Sequence, residues 1–411
     1  MKNHNKRYWI LSIAAFLCGL LIGGCNPFPD TVEPLTMMPT QELQATAFST
    51  TEPPAMTPTP TRQATATAAV EPSIAAPTPI LDLQTYGSLL YLDGRSVWEG
   101  LGLASDRLVV ELPFEQVYAA ALMDDNLWVL ADDQLAVVNL TSGMVETVAE
   151  IELSDWGGQL LVLWGRQSVA YAVGIDDDST LLGHSTRVGL YNPRTSQAHM
   201  LTKLVGTVSL LGATSKEDAL YAAQIGGNGS GPILTINLED GTTTTRIESQ
   251  ALSFSAAMSS DGHWVSMIDA KDWSQPEEQG CITLYNLAEP DTSPMAIELP
   301  KQPSHARDFR WSPDSQYLYF VLCHGPWAGY SGQPLMQTYG LWRADIRSGE
   351  VEEITPSIQV DYYPAAVSPD GRVVLIDNTT FTLVDVQTGA ERFLDLPQGA
   401  RILTWRIPDA Q

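Results

Sequence analysis

Basic residues are scarce in this chain of 411 residues, which has 22 Lys and Arg against 48 Asp and Glu and a formal net charge of −26. An excess of negative charge this large repels the phosphates of nucleic acids and the head groups of anionic lipids. The composition therefore excludes nucleic acid as a main partner. We also expect the protein to be monomeric.

Motifs of the common catalytic classes are missing. The sequence has no G-x-S-x-G, no H-E-x-x-H, no G-x-x-x-x-G-K-[ST] and no paired C-x-x-C. Its histidines lack metal-ligand spacing. Three consecutive carboxylates at residues 176–178 lack the spaced pattern of a calcium loop, so we interpret them as a solvated acidic turn. We expect no catalytic residue, no metal and no cofactor, although carboxylates that only folding brings together remain compatible with an enzyme.

Cysteine is also rare, with four residues in the whole chain. Cys18 and Cys25 lie near the N-terminus, which leaves Cys281 and Cys323 for the rest of the protein. An oxidising compartment would permit a disulfide between these two, and a pair of buried thiols is the alternative.

The N-terminus has the pattern of an export signal. Three cations at positions 2, 6 and 7 precede an apolar stretch over residues 9–22, which is shorter than the ~20 residues that span a bilayer. Residues 21–25 read Leu-Ile-Gly-Gly-Cys and resemble the lipobox of bacterial lipoproteins, with Gly23 where the family more often has Ala or Ser. The resemblance implies a signal peptide over residues 1–24 and a lipid on Cys25. An uncleaved signal anchor is the alternative.

These features predict where the protein resides. A lipid on Cys25 would hold it in the cell envelope, on the extracytoplasmic side of a bacterial membrane. Cleavage would remove three cations and no acid, so the mature charge would be 19 − 48 = −29.

Residues 25–80 are predicted to form a disordered stalk behind the lipidated cysteine. Positions 26–80 contain 12 Thr and 11 Pro and few large apolar residues. Such a segment cannot bury enough surface to offset its chain entropy, and proline favours extended conformations. The stalk would lift a folded domain, residues 81–411, away from the membrane.

Internal repeats dominate the folded part. Segments 89–113, 127–151 and 373–397 align without gaps, and each reads as three short strands separated by turns. Gly143 and Gly389 occupy the same turn position, where a positive φ is expected. A further strand that ends in a Ser-x-Asp turn precedes several units, so we name four strands per unit, a to d.

Seven units of this kind predict an all-β, seven-bladed β-propeller. The second strand of each unit, strand b, is expected to begin near residues 89, 127, 168, 219, 264, 318 and 373. The first unit lacks a strand a, while residues 401–409 read as a strand a with nothing after it. The C-terminal strand should therefore complete the first blade. A β-sandwich or two smaller domains are the alternatives.

The turns over residues 311–315 and 367–371 resemble those of the WD40-like repeats in TolB-type propellers. Units two to four lack this turn motif. The resemblance implies a periplasmic binding module, and similar propellers also precede the catalytic domain in prolyl-oligopeptidase-type enzymes.

Long b–c connections are predicted at residues 174–187, 225–232, 270–280 and 323–340. In a propeller the b–c and d–a connections share one face, so these loops should gather there and meet a protein or glycan partner. The candidate ligand-binding residues in these loops are Trp273, His324, Trp327 and Tyr330. Alternatively, the aromatic side chains only pack against their own loops.

The sequence thus predicts a membrane-anchored propeller that acts as a protein- or glycan-binding or scaffold module. The alternative is a carboxylate-dependent glycan hydrolase or lyase with its site in the central channel.

Overall fold

A computed structural model describes residues 87–406 of the chain except for ten short segments. These gaps are residues 102–105, 155–156, 227–229, 249–251, 270–280, 301–303, 325–336, 357–362, 378–379 and 398. The predicted signal peptide, the lipidation site and the stalk therefore lie outside the described residues. In the part of the chain that is described, no helix has the length and apolar character needed to cross a membrane.

The described residues form 28 strands in seven antiparallel sheets of four. Blade 1 contains β28 (Arg401–Arg406), β1 (Ser88–Asp93), β2 (Ser96–Gly100) and β3 (Arg107–Glu111). Blade 2 contains β4 (Val117–Met123), β5 (Asn126–Ala131), β6 (Gln134–Asn139) and β7 (Val145–Glu150). Blade 3 contains β8 (Gly158–Leu163), β9 (Ser168–Asp176), β10 (His184–Asn192) and β11 (Gln197–Val205).

The remaining four blades follow in chain order. Blade 4 contains β12 (Thr207–Ala213), β13 (Ala219–Ile225), β14 (Ile233–Asn237) and β15 (Thr243–Ile247). Blade 5 contains β16 (Leu252–Met258), β17 (Trp264–Asp269), β18 (Cys281–Asn286) and β19 (Met295–Glu298). Blade 6 contains β20 (Ser304–Trp311), β21 (Tyr317–His324), β22 (Gln337–Asp345) and β23 (Val351–Thr355). Blade 7 contains β24 (Tyr363–Val367), β25 (Val373–Asp377), β26 (Phe381–Asp385) and β27 (Glu391–Leu394).

The prediction of seven blades is confirmed, and so are the starts of the b strands. Each b strand begins at the predicted residue or one residue before it. Apolar side chains on these strands face both neighbouring blades, so residues 127–131 of β5 and 373–376 of β25 are almost completely buried. Gly143 and Gly389 have φ angles of 71° and 66°, as their shared turn position requires.

The C-terminal strand closes the ring, as predicted. β28 pairs with β1 in blade 1, where Trp405 lies opposite Leu89. The innermost strands contact one another in the order β28, β4, β8, β12, β16, β20 and β24, and β24 contacts β28 again. Trp405 is 8 % exposed and packs in an apolar cluster that joins blades 1 and 7. The central channel is the space that these seven inner strands enclose.

The Ser-x-Asp turns between strands a and b share one hydrogen-bond pattern. Ser259, Ser312 and Ser368 each donate their hydroxyl to the aspartate two residues later, at 2.6 Å. Each hydroxyl also accepts the backbone N–H five residues later, at 2.9 Å. The hydroxyl of each buried serine therefore both donates and accepts a hydrogen bond within the turn. This explains why the motif recurs at this position.

Blade 4 forms a related turn with different residues. Thr214 takes the place of the serine, because its hydroxyl accepts the Ala219 N–H and donates to Asp218. Glu217 accepts the N–H groups of Gly165 and Arg166 in blade 3, at 2.9 and 2.7 Å. The turn motif that the sequence of blade 4 lacks is thus replaced by another set of hydrogen bonds, which also links two blades.

Candidate functional site

The long b–c connections lie on four consecutive blades. Blades 1 and 2 have two-residue b–c turns, whereas blades 3 to 6 have connections over residues 177–183, 226–232, 270–280 and 325–336. The strands that flank these four connections all end on the face of the ring where the d–a connections lie. We call this side of blades 3 to 6 the loop face.

Two of the predicted loop boundaries are wrong. In blade 3 the expected loop over residues 174–187 is shorter, because β9 and β10 continue pairing until Asp176 lies opposite His184. In blade 6 the strands likewise extend to His324 and from Gln337, which pair with each other. The polar and glycine residues at these strand ends are typical of loops. They nevertheless pair with the neighbouring strand and so belong to the sheet.

Asp177 organises the blade 3 loop. Its Oδ1 accepts the hydroxyl and the N–H of Ser179, at 2.5 and 3.2 Å. Its Oδ2 accepts the Ser185 hydroxyl at 2.5 Å and lies 2.7 Å from Lys203 Nζ. The residue is 9 % exposed, so the interpretation of residues 176–178 as a solvated acidic turn is wrong for Asp177. Lys203, on the outer strand β11, supplies the counter-charge that makes this burial possible.

The same contacts set the ionisation of Asp177. The Lys203 ammonium, followed by the hydroxyls of Ser179 and Ser185, holds the pKa of the carboxyl well below its usual range. The group therefore stays charged at neutral pH, and the loop is fixed by an ion pair and hydroxyl donors at once.

Two leucines project from this fixed loop. Leu181 is fully exposed and Leu182 is 44 % exposed. Val205, at the end of β11 on the same face, is 49 % exposed. The side chain of Leu182 borders Gly206, where an added Cβ would lie 3.0 Å from Leu182 Cδ1. We call Leu181, Leu182 and Val205 the blade 3 rim.

Most of the predicted ligand-binding residues cannot be placed. Trp273, Trp327 and Tyr330 lie outside the described residues. His324 is the last residue of β21, and its backbone lies opposite Ser304 and Gln337. Nothing is described of its side chain.

The cysteine predictions also stay open. Cys281 begins β18, and its partly buried Sγ lies 3.9 Å from Thr283 Oγ1. The backbone of Cys323 lies opposite His305 in β20 and Thr338 in β22. The side chain of Cys323 is outside the described set, so a Cys281–Cys323 disulfide stays a prediction.

Three side chains on the inner strands bridge neighbouring blades. Gln159, Arg310 and Arg401 each hydrogen-bond the backbone of the next blade's inner strand. Asp308 is the single acid within the bounds of the seven inner strands. A pair of catalytic carboxylates in the channel would therefore need side chains from the connecting loops.

The resolved pKa shifts of the described carboxyl groups do not mark a general acid. Where a carboxyl pKa shift is resolved among the described residues, it is downward: Asp177, Asp218, Asp240, Asp261 and Asp345. A general acid needs a raised pKa. The described residues also contain no group of three or more His, Cys, Asp or Glu that could hold a metal. The hydrolase or lyase alternative stays a prediction.

Sequence reasoning missed the groups that stand out in the structure. The Asp177–Lys203 pair joins residues 26 positions apart, and nothing in the local sequence indicates it. The sequence feature that could have indicated the blade 3 rim is a pair of adjacent leucines within a polar loop. The contacts of Arg401 depend on ring closure, which brings it to a strand that begins at Val117.

Comparison with known proteins gives similarity in fold. No protein-family model matches the chain, and no curated protein matches it. A solved prolyl endopeptidase aligns with 9 % identity over 77 % of this chain and 50 % of its own, with a TM-score of 0.53. A putative TolB from Agrobacterium tumefaciens aligns with 14 % identity over 78 % and 99 % of the two chains, with a TM-score of 0.40. An oligogalacturonate lyase from Vibrio parahaemolyticus aligns with 11 % identity over 75 % and 88 %, with a TM-score of 0.48. At these identities the likeness concerns architecture alone.

Proposed function

We propose that this protein is a lipid-anchored, extracytoplasmic β-propeller that binds a partner through its loop face. Cys25 would carry the lipid, residues 25–80 would act as a spacer, and the propeller would be displayed as a monomer on the outer side of a bacterial membrane. The partner is a protein or a glycan. The blade 3 rim favours a protein, because aliphatic side chains offer nothing to the hydroxyl groups of a sugar.

The observation that carries the proposal is the exposure of two adjacent leucines on a loop that is held in place. Exposing large apolar side chains to water costs about 25 cal/mol per Å² of apolar surface, which a covering partner would recover. Asp177 anchors the loop through Ser179, Ser185 and Lys203. A partner that binds there would not have to order the loop, and the entropic cost of association would be lower.

We expect the predicted aromatic residues to extend the same face. Trp273 belongs to the blade 5 connection, and Trp327 and Tyr330 belong to the blade 6 connection. Aromatic side chains combine apolar area with few rotatable bonds, and they are enriched where binding energy concentrates. A partner that covers blades 3 to 6 would reach all of them.

A crosslinking pull-down from intact cells with the full-length, lipidated protein tests the proposal. We expect a Leu181→Asp/Leu182→Asp double variant to lose the crosslinked partner. The matched control is Phe393→Asp, because Phe393 is 69 % exposed on the outer strand β27 of blade 7. Equal capture by the double variant and the wild type would contradict the assignment of the loop face.

Trp327→Ala separates binding from packing in the blade 6 loop. If Trp327 contacts the partner, capture falls while the thermal unfolding midpoint stays that of the wild type. A lowered midpoint with unchanged capture would assign Trp327 to packing instead.

A further inference from the structure

The inner strands of the propeller have a charge balance opposite to that of the chain. Acids outnumber Lys and Arg by more than two to one in the whole sequence. Within the seven inner strands there is one acid, Asp308, against four arginines on β20 and β28: Arg307, Arg310, Arg401 and Arg406. Of these four, the structure describes the side chains of Arg310 and Arg401, and each bonds a backbone carbonyl of the next blade's inner strand.

Arg401 lies at one end of the channel, on the face of the ring that carries the b–c and d–a connections. It begins β28, and it lies opposite Leu92, near the end of β1 that leads into the b–c turn of blade 1. Its Nη1 donates to the Val117 carbonyl at 2.7 Å, and its Nη2 donates to the Tyr118 carbonyl at 3.0 Å. Both carbonyls belong to β4 of blade 2, so the guanidinium is held in one orientation at the mouth of the channel.

The charge of Arg401 has no carboxylate partner within the described residues. Carbonyl oxygens accept hydrogen bonds from two of its five N–H groups, but being uncharged they do not neutralise the guanidinium. The surrounding protein desolvates part of the guanidinium and lowers its pKa, while the residue as a whole remains exposed to solvent. A fixed, partly desolvated cation with remaining donors is well arranged to bind an anion.

The inner edges of several blades are already occupied. Arg401 bonds the edge of β4, Arg310 bonds that of β24, and Gln159 bonds that of β12. An extended peptide entering the channel would need those backbone groups to pair with it. The arrangement therefore favours a ligand recognised by its charge over one recognised by strand addition.

We propose that the mouth of the central channel binds a small ligand with an oxyanion group, a carboxylate or a phosphate, and that Arg401 supplies the counter-charge. This site lies between blades 1 and 2 and is independent of the partner surface on blades 3 to 6. The planar guanidinium can offer parallel N–H groups to two oxygens of either anion.

Equilibrium dialysis of the mature, lipidated protein in detergent tests the proposal with three radiolabelled probes. Glucuronate represents a carboxylate, inorganic phosphate represents a phosphate, and glucose is the uncharged match of glucuronate. At an ionic strength of about 0.05 M, where screening is weak, we expect saturable binding of at least one anion and none of glucose. Binding of glucuronate would identify the ligand group as a carboxylate, and binding of inorganic phosphate would identify it as a phosphate. Absence of binding by both anions, or equal binding of glucose, would overturn the proposal.

Substitutions of Arg401 connect binding to the residue. Arg401→Gln should weaken anion binding about tenfold to a hundredfold, the effect of removing a charge-assisted hydrogen bond. Arg401→Lys keeps the charge but loses the planar fork, so we expect an intermediate loss. Unchanged binding in a folded Arg401→Gln protein would refute the assignment.

Substitutions of Gln116 provide a second test that does not depend on the folding of the Arg401→Gln variant. Gln116 is exposed and directly precedes Val117, whose carbonyl Arg401 holds. Gln116→Glu should weaken anion binding and Gln116→Lys should strengthen it, each by roughly twofold to fivefold, because a charge is added near the mouth without changing Arg401. Equal affinities in these two variants would contradict an anion site at this position.

Discussion

Replacement of Trp405 by alanine should weaken the closure of the ring. Trp405 is 8 % exposed and packs against blade 7 as well as blade 1, where it lies opposite Leu89. Removing a buried tryptophan side chain costs about 3–5 kcal/mol, the sum of lost transfer energy and a residual cavity. Because folded domains are stable by only about 5–15 kcal/mol, this is a large part of the total.

Equilibrium urea unfolding followed by circular dichroism measures this effect. We expect the midpoint to fall while the slope m is unchanged, since the same surface is exposed on unfolding. The matched control is Trp164→Ala, because Trp164 is 57 % exposed in the a–b turn of blade 3. Surface substitutions usually change stability by less than about 0.5 kcal/mol. Equal losses in the two variants would refute the reasoning that β28 is packed as the inner strand of blade 1.

Three further predictions concern the turn motif, the blade 3 loop and the anchor. Ser312→Ala should lower the free energy of unfolding by about 1–3 kcal/mol, because it leaves the Tyr317 N–H without its acceptor, and urea unfolding measures the loss. The native contacts lower the pKa of Asp177 from 3.8. Its contribution to stability is therefore complete above the unfolded pKa and is lost as the pH falls below about 4. Asp177→Asn should flatten that part of a profile of unfolding free energy against pH. Cys25→Ser should leave the propeller folded but move it out of the membrane pellet on fractionation; a pellet with the same amount of protein would contradict lipid anchoring.

Much of the fold was predictable because its determinants are local. Alternating apolar residues and turn residues recur in each unit, and they indicate the b strands to within one residue. The Ser-x-Asp turns are also local, because the hydroxyl of Ser312 needs only an aspartate two residues later and an N–H five residues later. Blade 4 reached a similar turn with Thr214 and Asp218, which the motif alone did not reveal.

The candidate site was less predictable because its contacts are not local. The position of Asp177 depends on Lys203 in a different strand, and without that ion pair an isolated Asp-Asp-Asp sequence indicates only a solvated turn. Arg401 contacts residues more than 280 positions earlier in the chain, which only the closed ring brings to it. The predicted aromatic residues Trp273, Trp327 and Tyr330 lie outside the described residues, so their role stays a prediction.

Site-specific photocrosslinking in intact cells tests the central claim most directly. A photoreactive amino acid at position 181 places the probe on the exposed blade 3 rim, and the same amino acid at position 393 is the control on blade 7. A partner that covers the loop face should give a discrete adduct from position 181 and none from position 393, and staining for protein and for glycan would distinguish the two partner classes. No adduct from position 181, or the same adduct from both positions, would contradict the assignment of the loop face as the binding surface.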